Sequence, residues 1–219
     1  MSASSSLARA AAAPRFTTDN QTLVTLLGEC QAMLGFDRVI NIAHLTLQTE
    51  RHPGAIVELG TGRGATARLL TALSQRTVYI YDSFEGLPDV PADEAVGSGW
   101  TRGTFACSVE EVLDGFQRHG LRLPVVTRGW FADIPAERLP AEISLAHIDG
   151  DLYQSTLDAL RKVYDRVTPG GVVILDDYGW ELTPGVARAC SEFLSDKPEE
   201  ITPLLVRPGE GPHACFIKE

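Results

Sequence analysis

Short apolar runs that alternate with helical segments are the feature that most constrains this chain. Five such runs occur, and each ends close to a glycine or an acidic residue: 55–59, 77–81, 124–127, 143–148 and 172–175. Continuous apolar runs, without polar alternation, are typical of parallel strands that are buried on both faces. Because crossovers between parallel strands are right-handed, we predict an α/β fold: an open, doubly wound (Rossmann-like), mostly parallel sheet.

The rest of the chain completes one domain in this interpretation. Residues 1–19 are rich in Ser and Ala and are expected to form a flexible arm. The domain then covers 20–219, with a helical N-terminal cap at 20–52 that is interrupted near Gly35. Residues 86–104 are rich in Gly and Pro, and such a long loop is predicted to form a lid.

Two further runs near the C-terminus predict a closing pair of strands. They cover 204–207 and 214–218, and a Pro- and Gly-rich turn joins them. We therefore expect the C-terminal strand to be antiparallel to the rest of the sheet.

Charge and composition exclude several classes of function. The formal net charge is −10 at pH 7, which argues against binding nucleic acid or an anionic membrane through a basic surface. No apolar run approaches the ~18 residues that a membrane span needs. The four cysteines are scattered and none forms a CxxC pair, so we expect reduced thiols in a cytoplasmic protein.

The sequence GTGRG directly follows the first predicted strand. Gly60 and Gly62 allow the backbone to approach a ligand closely, although a tight structural turn is an alternative. The third glycine comes one position too early for a dinucleotide-binding motif. Glu58, inside the strand, needs a partner when it is buried, and a cationic ligand group would supply one. This favours a cationic, amino-acid-like cofactor over NAD.

Two other strand ends carry candidate binding residues. Asp82 ends the second strand, where a carboxylate can accept hydrogen bonds from ribose hydroxyls. The alternative is a turn or helix cap, since Asp-Ser begins a loop. Trp130, after Gly129, either belongs to the core or lies beside an adenine.

Three acidic residues end the fourth and fifth strands: Asp149, Asp176 and Asp177. Neighbouring strands lie ~4.8 Å apart, so these carboxylates are expected to converge. Like charges at that distance are costly unless a cation neutralises them, and oxygen ligands suit Mg²⁺ or Mn²⁺. The alternative is solvated loop acids or caps, and Asp151 is expected to cap the next helix or to stay solvated.

Several stretches resemble the macrocin O-methyltransferase family. They are VELGTGRGATARLL, YDSFEGLP, SVEEVLDGF, HIDGDLYQSTLDAL and GGVVILDDYG, and the resemblance runs from about residue 55 to 195. The family includes sugar O-methyltransferases of macrolide and aminocoumarin antibiotic pathways. The resemblance implies the class I methyltransferase fold, S-adenosylmethionine as cofactor and a divalent metal at the acceptor site.

The resemblance also implies roles for individual residues. The methionine end of the cofactor would be held by Glu58, Gly60, Thr61 and Gly62, the ribose by Asp82 and Ser83, and the adenine would lie near Gly129 and Trp130. Asp149, Asp176 and Asp177 would bind Mg²⁺, and Asp149 would also be the general base. The expected reaction is methyl transfer to one hydroxyl of a vicinal diol, on a sugar of a glycosylated natural product.

Two regions depart from the family pattern and leave alternatives open. The part before residue 50 is short, and the segment 179–183 after the acidic pair is unusual. Both would touch the acceptor, which is expected to be a small glycoside or diol. Three other hypotheses remain open: a methyltransferase with a catechol acceptor, a nicotinamide-dependent oxidoreductase, and a scaffold protein with a decayed site. The resemblance further suggests a homo-oligomer, a dimer or larger.

Overall fold

The computed structural model describes residues 18–95 and 97–219, so the predicted arm at 1–19 lies almost wholly outside the described residues. Within them, the strands form one sheet in the order β3-β2-β1-β4-β5-β7-β6. Their bounds are β1 Ala55–Leu59, β2 Val78–Asp82, β3 Val125–Arg128, β4 Ile143–Ile148, β5 Val167–Leu175, β6 Thr202–Pro203 and β7 Ala214–Ile217. Strands β1 to β5 pair in parallel, and β7 runs antiparallel to β5 and β6. The predicted doubly wound sheet with an antiparallel C-terminal strand is confirmed. The first strand of the predicted closing pair lies at 202–203, so its predicted position at 204–207 is wrong.

Six α-helices cover the sheet in the described part of the chain. They are α1 Asn20–Leu34, α2 Phe36–Thr49, α3 Ala65–Leu73, α4 Val109–Arg118, α5 Tyr153–Val163 and α6 Pro184–Leu194. The predicted interruption near Gly35 is confirmed, and that glycine has a φ of +83°. None of these helices is long and apolar enough to cross a membrane.

Strand β5 begins earlier than the apolar run predicts. The run covers 172–175, but the strand starts at Val167. The register explains the difference: β4 advances from Ile143 to Leu145 while β5 advances from Val167 to Val172, which is a bulge. Residues 168–171 are therefore carried inside the strand, where the backbone N–H of Gly170 donates a hydrogen bond to the carbonyl of Lys218.

Alternating strand residues point into two separate cores. One face, which includes Ile56, Ile80 and Leu145, packs against α1, α2, α3 and α4. The opposite face, which includes Val57 and Ala146, packs against α5 and α6. Because both faces are covered, the strands are held rigidly and their carboxyl ends meet at one edge of the sheet, where the loops are free to bind a ligand.

Candidate active site

A cavity of about 830 Å³ opens at the carboxyl edge of the sheet. Every residue that the sequence singled out lines it: Glu58, Gly60, Thr61, Gly62, Asp82, Ser83, Gly129, Trp130, Asp149, Asp176 and Asp177. Parallel strands deliver these residues from positions far apart in the sequence. The structure thus gathers the predicted site residues around one space large enough for a small-molecule ligand.

Gly60 is required by the contact between two strand tips. Its φ is +87°, and a Cβ atom there would lie 1.8 Å from the carbonyl oxygen of Asp149. The backbone N–H of Asp149 in turn donates to the carbonyl of Leu59 at 2.8 Å. A larger residue at position 60 would force the two tips apart, so this glycine fixes the distance between the two halves of the cavity.

Asp82 holds the glycine turn in this structure. Its Oδ2 accepts hydrogen bonds from the backbone N–H of Thr61 at 2.8 Å and of Gly62 at 3.1 Å. Its Oδ1 accepts from the N–H of Phe84 at 2.7 Å. The turn-stabilising alternative is therefore present, and binding of a ribose remains a prediction. Ser83 likewise serves the local backbone, since its Oγ donates to the carbonyl of Gly86.

Glu58 is buried and has polar partners within the protein. Its side chain accepts a hydrogen bond of 2.5 Å from the Thr61 hydroxyl. His147 lies beside it on the neighbouring strand, with Nδ1 3.3 Å from the Glu58 carboxylate. The other ring nitrogen of His147 lies 3.7 Å from Asp176. This buried histidine therefore lies between Glu58 and Asp176.

Three carboxylates converge at the tips of β4 and β5. Asp149, Asp151 and Asp177 each place one oxygen within 4.8 Å of the others. Burial, and then the charge of Asp177, raise the pKa of Asp149 to about 6. Burial and the two neighbouring carboxylates raise the pKa of Asp151 well above its usual range. Such mutual repulsion would be relieved by a bound cation.

Asp176 faces a different set of partners. Arg38 of α2 forms a buried ion pair with Asp176, and its Nη2 also lies 3.0 Å from Asp177. His213 has its Nδ1 4.0 Å from Asp176, and burial together with the charge of Arg38 lowers the pKa of this histidine to about 3. In this structure, then, Asp151 stands nearest Asp149 and Asp177, while Asp176 is paired with a guanidinium.

Sequence reasoning missed Arg38, although the sequence carries a signal for it. Arg38 shares the buried face of α2 with Ile42 and Leu45, which are four and seven positions further on. An arginine on the apolar face of a helix needs a buried acidic partner. The pattern identifies the need, but only the fold shows that the partners are Asp176 and Asp177.

Backbone strain also concentrates at this cavity. Among the described residues other than glycine, four have positive φ, and three of these line the cavity: Phe105 at 68°, Asp151 at 58° and Asp177 at 54°. Such conformations are costly and persist where the surrounding structure imposes them, most often at functional sites.

The predicted lid loop contributes one wall of the cavity. Leu87, Pro88 and Trp100 line it, and Trp100 contacts Phe105 and Trp180 edge to face, with ring centroids 5.3 Å and 6.4 Å apart. The loop is anchored through a buried residue outside this wall, Glu94, which accepts a hydrogen bond of 2.7 Å from the first N–H of α5. The loop therefore has a defined attachment to the domain.

Comparison with known proteins agrees with this geometry. A sequence model of the family described as Macrocin-O-methyltransferase (TylF) matches residues 15–204. The chain is 35% identical over 161 residues to 8-demethyl-8-(2,3-dimethoxy-alpha-L-rhamnosyl)-tetracenomycin-C 4'-O-methyltransferase of Streptomyces olivaceus. It is 34% identical over 161 residues to demethyldecarbamoylnovobiocin O-methyltransferase of Streptomyces niveus. Each match covers 67% of this chain and 62% of the relative, so the chain spans less than two thirds of their length.

A solved structure shows the same architecture. The O-methyltransferase NovP superposes with a TM-score of 0.72 at 28% identity, over 84% of this chain and 80% of that one. The fold is that of class I methyltransferases. The family's sequence model matches most of this chain, so the chain belongs to the macrocin-O-methyltransferase (TylF) family.

Proposed function

We propose that this chain is an S-adenosylmethionine- and divalent-metal-dependent O-methyltransferase that acts on a sugar hydroxyl of a glycosylated small molecule. The observation that carries the proposal is that the glycine turn and the acidic cluster share one cavity in a member of this family. The backbone of the glycine turn and the carboxylate of Glu58 would bind the cofactor. The acidic cluster would bind a metal ion and the diol of the acceptor.

The residues around the glycine turn fit the proposed cofactor. Glu58 lies beside Thr61 and is suited to the cationic methionine end, and Gly60 and Gly62 present backbone without side chains. When bound, S-adenosylmethionine would supply an activated methyl group. The bond from this carbon to sulfur would break as its bond to the acceptor oxygen forms, and the cofactor would be left as a neutral thioether. Asp82 and Ser83 are proposed for the ribose, and Gly129 and Trp130 for the adenine.

The acidic residues fit a divalent cation. Asp176 and Asp177 both lie beside the guanidinium of Arg38, and this shared contact with one positive group supports a cation site at the pair. We propose Asp149, Asp176 and Asp177 as ligands of Mg²⁺ or Mn²⁺, with Asp151 as a nearby fourth carboxylate. When bound, the ion lowers the pKa of a coordinated hydroxyl by several units.

Asp149 is the proposed general base. Its backbone N–H is bonded to the tip of β1, which holds this residue at the edge of the cavity beside the proposed cofactor site. The hydroxyl proton of the acceptor would pass to this carboxylate. Holding the acceptor hydroxyl close to the methyl donor in the correct orientation would further increase the rate of methyl transfer.

The aromatic rings at the lid favour a second candidate, a catechol O-methyltransferase. Trp100, Phe105 and Trp180 line the same cavity as the acidic residues, and aromatic side chains there suit an aromatic acceptor. Both candidates share the cofactor and the metal and differ in the acceptor.

One experiment tests the function and separates these candidates. The protein is incubated with labelled S-adenosylmethionine and either p-nitrophenyl α-L-rhamnoside or catechol, with Mg²⁺, with excess chelator, and with Mg²⁺ restored. We expect methylation of the rhamnoside, loss of activity in chelator and its recovery on addition of Mg²⁺. Full activity in excess chelator would exclude the metal role. Calorimetric titration with S-adenosylhomocysteine and with NADH separates methyl transfer from a nicotinamide-dependent reaction.

We also propose that the enzyme works in the cytoplasm as a homo-oligomer. All four cysteines are free in the structure, as a reducing compartment would keep them. Light scattering of the purified protein measures the oligomeric state, and a monomer at micromolar concentration would contradict this part of the proposal.

A further inference from the structure

Three aromatic residues form a group at the acceptor end of the cavity, here called the ring cluster: Trp100, Phe105 and Trp180. Trp100 contacts both of the others, with centroids 5.3 Å from Phe105 and 6.4 Å from Trp180. All three line the cavity. They come from two distant segments, the lid region and the loop after β5, so the fold rather than the local sequence assembles the cluster.

Phe105 of the ring cluster lies nearer to solvent than the acidic pair Asp176 and Asp177, while Trp100 and Trp180 are half-buried. Asp176 and Asp177 are 3% and 5% exposed, whereas Phe105 is 53% exposed. Trp180 follows the acidic pair by one turn, and its backbone N–H donates a hydrogen bond of 3.0 Å to the carbonyl of Asp177. A sugar whose diol reached the acidic residues would therefore leave the group that it carries beside the rings.

Phe105 supports the view that these rings contact a ligand. It is a large apolar side chain that is half exposed, and its backbone is held at a φ of +68°. A non-glycine residue persists in that region only where the surrounding structure imposes it. The conformation presents an apolar ring at the open side of the cavity, where a flat apolar group would cover it.

Charge argues against a nucleotide-linked sugar in the same place. Arginine and lysine side chains are the protein groups that most often bind phosphates. The basic residues that line the cavity, within the described part of the chain, are Arg38, which is already paired with Asp176 and Asp177, and Arg63 beside the glycine turn. A diphosphate at the ring cluster would also lie near acidic residues.

We propose that the ring cluster binds an aromatic group attached to the acceptor sugar. The inference rests on the proposed sugar O-methyltransferase function and narrows its substrate class to aryl glycosides. It also gives the methylation a place in a reaction sequence, because a glycosyl transfer to an aromatic hydroxyl must come first to supply this substrate.

Three acceptors with the same sugar test the proposal. They are p-nitrophenyl α-L-rhamnoside, methyl α-L-rhamnoside and a nucleoside-diphosphate rhamnose, each compared by kcat/KM at saturating S-adenosylmethionine and Mg²⁺. We expect the aryl glycoside to exceed the methyl glycoside by about tenfold or more, mainly through KM, because ring stacking and apolar burial add to its binding. The nucleotide sugar is expected to be the poorest of the three.

Variants of the ring cluster then assign the preference to these side chains. Trp180→Leu and Trp100→Leu are expected to raise KM for the aryl glycoside about tenfold and to leave KM for the methyl glycoside within about twofold. Trp180→Phe should restore most of the preference, and it also controls for folding. Phe36→Leu is the matched control, because Phe36 is a partly exposed ring on α2 outside the cavity lining.

The outcomes separate this inference from the proposed function. Equal kcat/KM for the aryl and methyl glycosides, or a better nucleotide sugar, overturns the inference and leaves the sugar methyltransferase in place. If Trp180→Leu lowers kcat/KM equally for both glycosides, the ring contacts the sugar itself, and this result also overturns the inference. Methylation of none of the three acceptors, together with no calorimetric binding of p-nitrophenyl rhamnoside to the S-adenosylhomocysteine complex, overturns the proposed function and the inference with it.

Discussion

At the scale of single residues, the site depends on how buried charges are paired. Asp176 and Asp177 share the guanidinium of Arg38, while Asp149 and Asp151 face each other and Asp177 with raised pKa values. Breaking a buried ion pair by removing one partner leaves an uncompensated charge, which is usually more costly than the pair is favourable. We therefore expect Arg38 to stabilise the metal-free protein and to compete with the proposed cation for these carboxylates.

Arg38→Gln tests this competition. In chelator we expect the free energy of unfolding to fall by about 3 kcal/mol, because Asp176 and Asp177 lose their buried partner. Mg²⁺ should then stabilise the variant more than it stabilises the wild type, because the ion no longer competes with a guanidinium. Urea unfolding with and without Mg²⁺ measures both effects.

Arg207→Gln is the control for that measurement. Arg207 also pairs with an acidic residue of α2, Asp37, but both side chains contact solvent. Exposed ion pairs contribute little to stability, so this variant should have nearly the wild-type free energy of unfolding both with and without Mg²⁺. A loss as large as that of Arg38→Gln, or an unchanged response of Arg38→Gln to Mg²⁺, would contradict the competition.

The raised pKa of Asp149 predicts how stability depends on pH. Its pKa rises from 3.8 to about 6 on folding, so the ionised carboxylate destabilises the fold fully above pH 6, and this cost disappears as the pH falls towards 3.8. In chelator, Asp149→Asn should therefore be more stable than the wild type by about 1–2 kcal/mol at pH 7.5 and by much less at pH 4.5. Urea unfolding at the two pH values measures the difference, and a difference that grows towards acid pH would refute the assignment.

At the scale of elements, the strand tips were predictable and their partners were not. The apolar runs of β1 and β4 fix the edge of the sheet, and the residues that follow them, such as Gly60 and Asp149, necessarily meet there. The pairing of Asp176 with Arg38 depends on how α2 packs against the sheet, which no local pattern encodes. The bulge in β5 was missed for a similar reason, since its hydrogen bonds join Gly170 and Gly171 to Lys218, the residue directly after β7.

The attachment of the lid loop gives a prediction at this scale. Gly185, near the start of α6, has no room for a side chain: a Cβ atom would lie 1.8 Å from the Glu94 carboxylate and 2.6 Å from the backbone nitrogen of Tyr153. Gly185→Ala should displace Glu94, lower the stability by about 1–3 kcal/mol and raise KM for the acceptor as the lid loosens. Thermal unfolding and steady-state kinetics measure the two effects.

Gly28→Ala is the matched control for the lid prediction. Gly28 lies within α1, and no heavy atom would come within 4 Å of an added Cβ. Alanine is the better helix former, so this variant should gain about 0.5–1 kcal/mol with unchanged kinetics. Normal stability and KM in Gly185→Ala would show that the contact with Glu94 does not hold the lid.

At the scale of the whole molecule, one rigid sheet carries two neighbouring groups of residues that we propose bind ligands. Glu58 lies in β1 and the glycine turn directly follows it, and the acidic residues lie at the tips of β4 and β5. His147, on β4, is fully buried between Glu58 and Asp176. Because the strands are clamped by cores on both faces, ligands at either group should stabilise the same cooperative unit, and their effects should be separable by mutation.

Ligand-induced stabilisation tests that separation. At 100 times its Kd, a ligand that binds only the folded state stabilises it by about 2.7 kcal/mol, which for a chain of this size shifts Tm by roughly 5–10 °C. Glu58→Gln should lose most of the shift caused by S-adenosylhomocysteine and keep the shift caused by Mg²⁺, and Asp177→Asn should do the reverse. Differential scanning fluorimetry measures all four combinations. If either variant abolished both shifts while its unliganded Tm stayed normal, the two groups would act as one site, and the division of labour between the glycine turn and the acidic residues would have to be abandoned.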